Sequence, residues 1–172
     1  MPYAPRQKCQ TPRCSNLVES GYCYTCQQQQ LSDTRMTIVA GPPCSGKTTY
    51  VAEHKKENDL VIDLDALQQA LGSDNTHGHN PALLPFALEA RDAIINRLGR
   101  PHDLNHVWII RTAPTNKERR QWWQANVIVL ETPKDVCHAR ADANRPPLWH
   151  DLIDAWWEKY EPNPSDKIIN AS

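Results

Sequence analysis

The sequence has no long hydrophobic run. No apolar stretch approaches the roughly 18 residues that a membrane-spanning helix needs, so no membrane partner is expected. The N-terminus, MPYAPRQKCQ, lacks the apolar core of a secretory signal, and a cytoplasmic protein is the expectation. Neither sign of charge dominates. The 172 residues carry 19 Lys+Arg against 20 Asp+Glu, so net charge supplies no general attraction to nucleic acid. The imbalance is local: Arg6, Lys8, Arg13 and Arg35 stand against Glu19 and Asp33 in the first 35 residues, and the remainder is slightly acidic. No internal repeat is present.

What is present begins with cysteine. Four of the six cysteines, Cys9, Cys14, Cys23 and Cys26, fall in one short segment, and Cys44 and Cys137 stand apart. In a reducing compartment such a cluster reads as a metal site before it reads as disulfides. The spacing C-x4-C-x8-C-x2-C supplies the four soft ligands of a closed structural Zn2+ site. A segment this short has no core of its own, so the metal would supply most of its stability. Arg6, Lys8 and Arg13 surround it, and Tyr22 and Tyr24 flank the third ligand. Basic and aromatic residues together suit phosphate contact and base stacking; a tail stabilised by metal for folding or dimerisation is the competing reading.

Residues 1–27 therefore form a zinc-binding knuckle, and the polar segment 28–35 reads as a linker. From Met36 to residue 172 strands and helices alternate. MTIVA, DLVIDL, HVWIIRT and NVIVLET read as strands. The segments after them, including PALLPFALEARDAIINRLGR with Leu84, Leu88, Ile95 and Leu98 on one face, read as helices. PLWHDLIDAWWEKY is the last helix expected. This pattern predicts an α/β fold: a parallel sheet of about four strands flanked by helices, with ligands at the carboxyl ends of the strands. The number of subunits is not legible.

The loop after the first of these strands, Gly41-Pro42-Pro43-Cys44-Ser45-Gly46-Lys47-Thr48-Thr49, fits the P-loop pattern G-x-x-x-x-G-K-[ST] in its strand-to-helix context. Glycines there let backbone N–H groups hold phosphate oxygens, and the following helix adds its dipole. Lys47 would neutralise the transferring phosphoryl group, and the Thr48 hydroxyl would ligate Mg2+. ATP and Mg2+ are thus the expected cofactors.

The acceptor is harder to read. VIDLD puts Asp63 and Asp65 at the end of the second strand. Mg2+ would depend on Thr48, the ATP phosphates, water and one of Asp63 or Asp65, with Asp63 the expected ligand. Asp65 could serve as the base that takes a proton from an acceptor hydroxyl; equally, it could cap the helix that follows. HVWIIRTAP offers no carboxylate after the third strand, with Arg111 and Thr112 there instead, which argues against a hydrolytic motor. Arg140 and Arg145 follow the fourth strand and read as a lid that clamps phosphates, with a surface salt bridge as the alternative for Arg140. Arg119 and Arg120 read as a solvated face behind two inward tryptophans. His77 and His79, in the turn-rich loop Ser73–Pro81, read as solvated.

GPPCSGKTTY, VIDLDALQQAL, VWIIRTAPTNKERRQWW and VIVLETPKDVCHARADANR come in an order similar to the kinase domain of phage polynucleotide 5′-kinases, over about Met36 to Tyr160. The chain also resembles the small P-loop kinases of phages that phosphorylate 5-hydroxymethyluracil bases in DNA. The resemblance implies Asp65 as general base and a lid arginine in the segment of Arg140 and Arg145. It would place the protein in the host cytoplasm, with DNA as its partner. Two positions depart from the family: Gln68 stands where an arginine grips the acceptor's 3′-phosphate, and Thr112 where an acid follows the third strand. CQTPRCSNLVESGYCYTC resembles the N-terminal zinc motif of phage HNH endonucleases, but no HNH catalytic residues follow, so the resemblance implies metal binding alone. The expected function is Mg-dependent transfer of the ATP γ-phosphate to a DNA hydroxyl, first on a 5-hydroxymethyluracil base and next at a polynucleotide 5′ end. A small-molecule or nucleotide kinase, and a nucleotide-dependent binding module without phosphotransfer, are the alternatives.

Overall fold

The computed structural model describes residues 5–75, 80–122 and 124–170. A short antiparallel hairpin, β1 (Gln7–Lys8) and β2 (Leu17–Val18), opens the chain, and helix α1 (Tyr24–Asp33) follows. The polar segment read as a linker is mostly helical. Cys23 caps α1, its sulfur accepting from the Cys26 N–H, and Leu31 packs on the main core. Gln27 lies against the backbone at Gly99, where an added Cβ would sit 3.2 Å from the Gln27 Cβ. Glutamines favour helix well enough once a cap and one apolar contact are supplied.

The main sheet has five parallel strands in the order β4 (Asp59–Ile62), β5 (His106–Ile110), β3 (Met36–Ala40), β6 (Asn126–Glu131), β7 (Lys167–Asn170). One strand exceeds the expectation. β7 pairs with β6 from Ile128↔Lys167 to Glu131↔Asn170. It is four residues long with two isoleucines, too short to carry a periodic signal of its own. Helices α2 (Lys47–His54), α3 (Leu64–Ala70), α4 (Leu84–Arg97), α5 (Asn116–Gln121), α6 (Lys134–Asn144) and α7 (Trp149–Lys159) connect and cover the strands. No described helix is long and apolar enough to cross a membrane.

Strand alternation divides the core in two. Met36, Ile38 and Ala40 of β3 join Val107 and Ile109 of β5 on one face, under Ile95 of α4, Leu98 at its C-cap, Trp122 and Trp156. Val39 and Trp108 point the other way, to Val51 of α2 and Leu130. β3 is buried along its whole length, which is why MTIVA reads as a continuous apolar run. Each such aliphatic side chain contributes about 1.5–3 kcal/mol of burial. The chain leaves β3 for β4 on one side of the sheet and later crosses to β6 on the other. The loop after β3 therefore sits where the winding reverses, the place at which parallel sheets bind ligands.

Candidate functional site

The loop from Gly41 to Thr48 is held by its neighbours. The Gly41 N–H donates to Thr112 O at 3.0 Å, and the Thr132 hydroxyl donates to Ser45 O at 2.9 Å. Gly41 has φ 151°, and a Cβ there would lie 2.7 Å from Leu130 O, so only glycine lets the loop pass this close to β6. Gly46 caps α2 with φ 92° and brings no side chain to the first N–H groups of the helix. Cys44 also has positive φ, 63°, without being glycine. The Ser45 hydroxyl is buried and has no hydrogen-bond partner.

Lys47 folds back over this loop, its ammonium donating to Gly41 O at 3.0 Å and Pro42 O at 2.7 Å. Burial pushes its pKa down to about 8; the charges of Cys137, Cys44, Asp63 and Asp65 act in the opposite sense. Pro42 is buried, Pro43 half-buried, and Thr48 and Thr49 line the open side. Lys47, Thr48, Asp63, Asp65, Arg140 and Arg145 all line one cavity of about 1400 Å3. The residues singled out from loop, second strand and fourth-strand segment thus come together.

Their roles divide differently from the sequence reading in places. Asp63, not Asp65, caps α3: its carboxylate accepts from the Asp65 N–H at 3.0 Å. Asp65 stands in the first turn of α3, lining the cavity. Arg140 donates from Nη1 to Cys44 O at 3.2 Å, and the Arg145 guanidinium lies 5.2 Å from the Trp149 ring centroid. Gln68 is fully buried and its side-chain oxygen accepts from the Asn80 N–H at 2.8 Å, so it ties α3 to the start of the segment that leads into α4. His77 and His79 lie outside the described residues, as does Trp123.

Three features escape sequence reasoning. A carboxylate does reach the end of the third strand: Glu118 of α5 pairs with Arg111 at 2.7 Å. The capping box from Thr115 to Glu118 is legible in sequence, but the Arg111 pairing is not. Arg119 is no solvated residue; its side chain is 11% exposed and forks onto Asp166 at 2.5 and 2.9 Å. The cavity also has an apolar wall, Leu148, Trp149, Leu152 and Trp156, from α7 and the turn before it. Trp156 anchors that wall by donating to Thr112 O at 2.8 Å.

The second site is the cysteine cluster. The sulfurs of Cys9, Cys14, Cys23 and Cys26 lie within 4.8 Å of one another. The Cys14–Cys23 separation is 3.8 Å, the edge of a tetrahedron with metal–sulfur bonds of about 2.3 Å. The donor set and the spacing fit a Zn2+-type ion. The Cys23 N–H donates to Cys9 Sγ at 3.2 Å, the Cys26 N–H to Cys23 Sγ at 3.5 Å, and Asn16 Nδ2 to Cys23 Sγ at 3.3 Å. Contact with the Thr11 hydroxyl, then the Cys23 N–H, brings Cys9 down to about 6. Asn16, then the Cys26 N–H, lowers Cys23. Cys26 rises to about 12: its contact with Thr11 favours the thiolate, but the neighbouring thiols and burial outweigh it. To stand together as thiolates, four sulfurs this close would need a cation among them.

No family model matches the chain, and no curated protein matches it. Among solved structures it is similar to the tunicamycin resistance protein of Deinococcus radiodurans, at 13% identity over 80% of this chain and 86% of that chain, with a TM-score of 0.47. At that distance the likeness transfers nothing. With no family model and no curated protein matching, no kinship to polynucleotide 5′-kinases or 5-hydroxymethyluracil DNA kinases is shown, and that expectation fails. The HNH-like reading of the N-terminus falls as well: the four cysteines close on one another as a four-cysteine cluster consistent with a zinc-knuckle or treble-clef type site, a hairpin followed by a helix whose first turn holds the last of them. Short glycine loops and Cys-x-x-Cys pairs recur wherever a phosphate cradle or a metal turn is needed, so neither singles out a lineage.

Proposed function

We propose that the chain is a P-loop phosphotransferase that moves the γ-phosphate of ATP to a hydroxyl, with DNA as the acceptor. The observation that carries this is the loop itself. A buried hydroxyl without a partner, a partly desolvated lysine and a helix start without a side-chain cap converge on one cavity that Asp65 and Arg140 also line. Such a concave set of donors is suited to a polyphosphate. Lys47 would leave its two carbonyl partners for phosphate oxygens. Thr48 and Asp63 offer the hard oxygen ligands that Mg2+ prefers, and they would hold it. Held by these residues, Mg2+ would supply positive charge against the β- and γ-phosphates. Asp65 takes the acceptor's proton as the new P–O bond forms and the bond to the β-phosphate oxygen breaks, releasing ADP. Arg140, steered by Cys44 O, and Arg145, seated on Trp149, stabilise charge on the transferring group.

DNA as acceptor rests on the four-cysteine unit, proposed to hold Zn2+. Arg6, Lys8 and Arg13 are exposed, and Tyr24 is 76% exposed beside the cluster. Exposed aromatics among cations suit base stacking and phosphate contact. The apolar wall from Leu148 to Trp156 favours a second reading, a small hydroxylated acceptor with an apolar body.

Incubation with γ-labelled ATP and a panel of plain 5′-hydroxyl DNA, hydroxymethylated DNA and free nucleosides tests this. Label is expected on DNA. Label only on small acceptors moves the assignment to the second reading. ATP binding with no transfer to any acceptor reduces the chain to a nucleotide-dependent binding module.

A further inference from the structure

Away from the cavity, helices α6 and α7 carry a crossed array of histidines and carboxylates. His138 of α6 bonds through Nε2 to Asp154 of α7 at 2.8 Å. His150 of α7 bonds through Nε2 to Asp142 of α6, also at 2.8 Å. The two Nδ1 atoms meet each other. The rings are nearly parallel, 17° apart, with centroids 4.5 Å apart. Lys134 adds a 2.8 Å ion pair to Asp154.

This arrangement dictates the tautomers. An ionised carboxylate only accepts, so each Nε2 must carry the proton that it shares with its aspartate. In the neutral rings each Nδ1 then presents a lone pair, and the two lone pairs meet with no donor between them. A cation resolves that conflict. Imidazoles that bind metal characteristically give their other N–H to a carboxylate, which fixes the tautomer and raises ligand basicity. Both histidines here are prepared in that way, each by the opposite helix. Asp142 and Asp154 outnumber Lys134, so the surroundings favour added positive charge.

We propose that His138 and His150 form a surface site for a borderline transition-metal dication of the Zn2+, Ni2+ or Cu2+ class, with water completing its coordination. It is separate from the four-cysteine cluster. Bonds of about 2.0–2.1 Å to both nitrogens need the two rings to part. Side-chain exposures of 24% for His138 and 36% for His150 leave room for that movement and for the waters. The ion joins α6, which carries Arg140, to α7, which carries the apolar wall.

The full chain, already loaded at its cysteines, is titrated with Zn2+ while histidine ring 15N shifts and bound-metal stoichiometry are followed. The expected result is a second equivalent bound at micromolar Zn2+, with the Nδ1 signals of His138 and His150 moving together. His138→Gln and His150→Gln should each abolish that equivalent and leave the first. Asp142→Asn and Asp154→Asn keep both ligands and should weaken it about tenfold or more. These side chains are on the surface, and an unchanged melting curve without added metal verifies each fold. A single equivalent in the unaltered protein, with both rings merely sharing a proton, overturns the proposal. So does a second equivalent that survives both histidine substitutions.

Discussion

Lys47 sets the pH behaviour expected of the cavity. Its ammonium is held in a desolvated position between two carbonyls and loses its proton near pH 8 in the free protein. A bound polyphosphate favours the charged form and raises that pKa, so binding above pH 8 must take up a proton. The sign follows: if the cavity takes ATP as proposed, affinity should be full below about pH 8 and fall by up to tenfold per pH unit above it. Calorimetric titration between neutral and alkaline pH checks this, with proton uptake read from buffers of different ionisation enthalpy. Lys47→Ala should flatten the dependence as well as weaken binding. Asp65→Asn should retain ATP affinity and lose transfer by about two to four orders of magnitude, the range of general-base catalysis. Full turnover in that variant removes Asp65 from the role. Gly41 is constrained more simply: a methyl group would meet Leu130 O at 2.7 Å, so Gly41→Ala should shift the loop and cut ATP binding even in a folded protein.

At the scale of elements, α5 and β7 are joined by one buried charge pair. Asp166, just before β7, has a side chain only 1% exposed that receives both Arg119 donors and the Tyr160 hydroxyl. Burial alone would raise its pKa, but the Arg119 and Tyr160 hydrogen bonds outweigh it and hold the carboxyl below the usual range. Its stabilising contribution is present above the ordinary carboxylate pKa and is lost as pH falls through the depressed value. Arg119→Ala leaves that carboxylate buried and without its cation. Urea unfolding should show a loss of about 3–5 kcal/mol. A loss within about half a kilocalorie, the range of ordinary surface substitutions, would mean that the strand holds without the pair. The sequence makes Arg119 look like one of several surface cations, because its partner lies 47 residues away.

For the whole molecule, α1 ties the cysteine cluster to the sheet. Cys23 caps α1, and α1 reaches the core through Leu31 and the Gln27–Gly99 contact. Removing metal with a strong chelator should therefore lower the melting temperature of the entire chain and weaken protection of α1 amides against hydrogen exchange. An unchanged melt would show that the cluster folds without a metal or independently of the sheet. Much of this architecture was legible beforehand. Apolar runs such as MTIVA and HVWII announce buried parallel strands, and four closely spaced cysteines announce a metal cluster, because burial on both faces and soft-ligand chemistry impose local patterns. The glycine loop was legible for the same reason, since Gly41 and Gly46 answer to local backbone geometry. What the chain left open depended on pairings between distant residues. Asp63 rather than Asp65 caps α3, Gln68 turns into the protein to meet the Asn80 N–H, Glu118 reaches Arg111, and His138 meets His150 across a helical hairpin. Backbone conformation and hydrophobic periodicity are written in neighbouring residues and can be read singly. The partner of a buried polar side chain is chosen only when the packed helices bring one within reach, and that choice belongs to the tertiary structure.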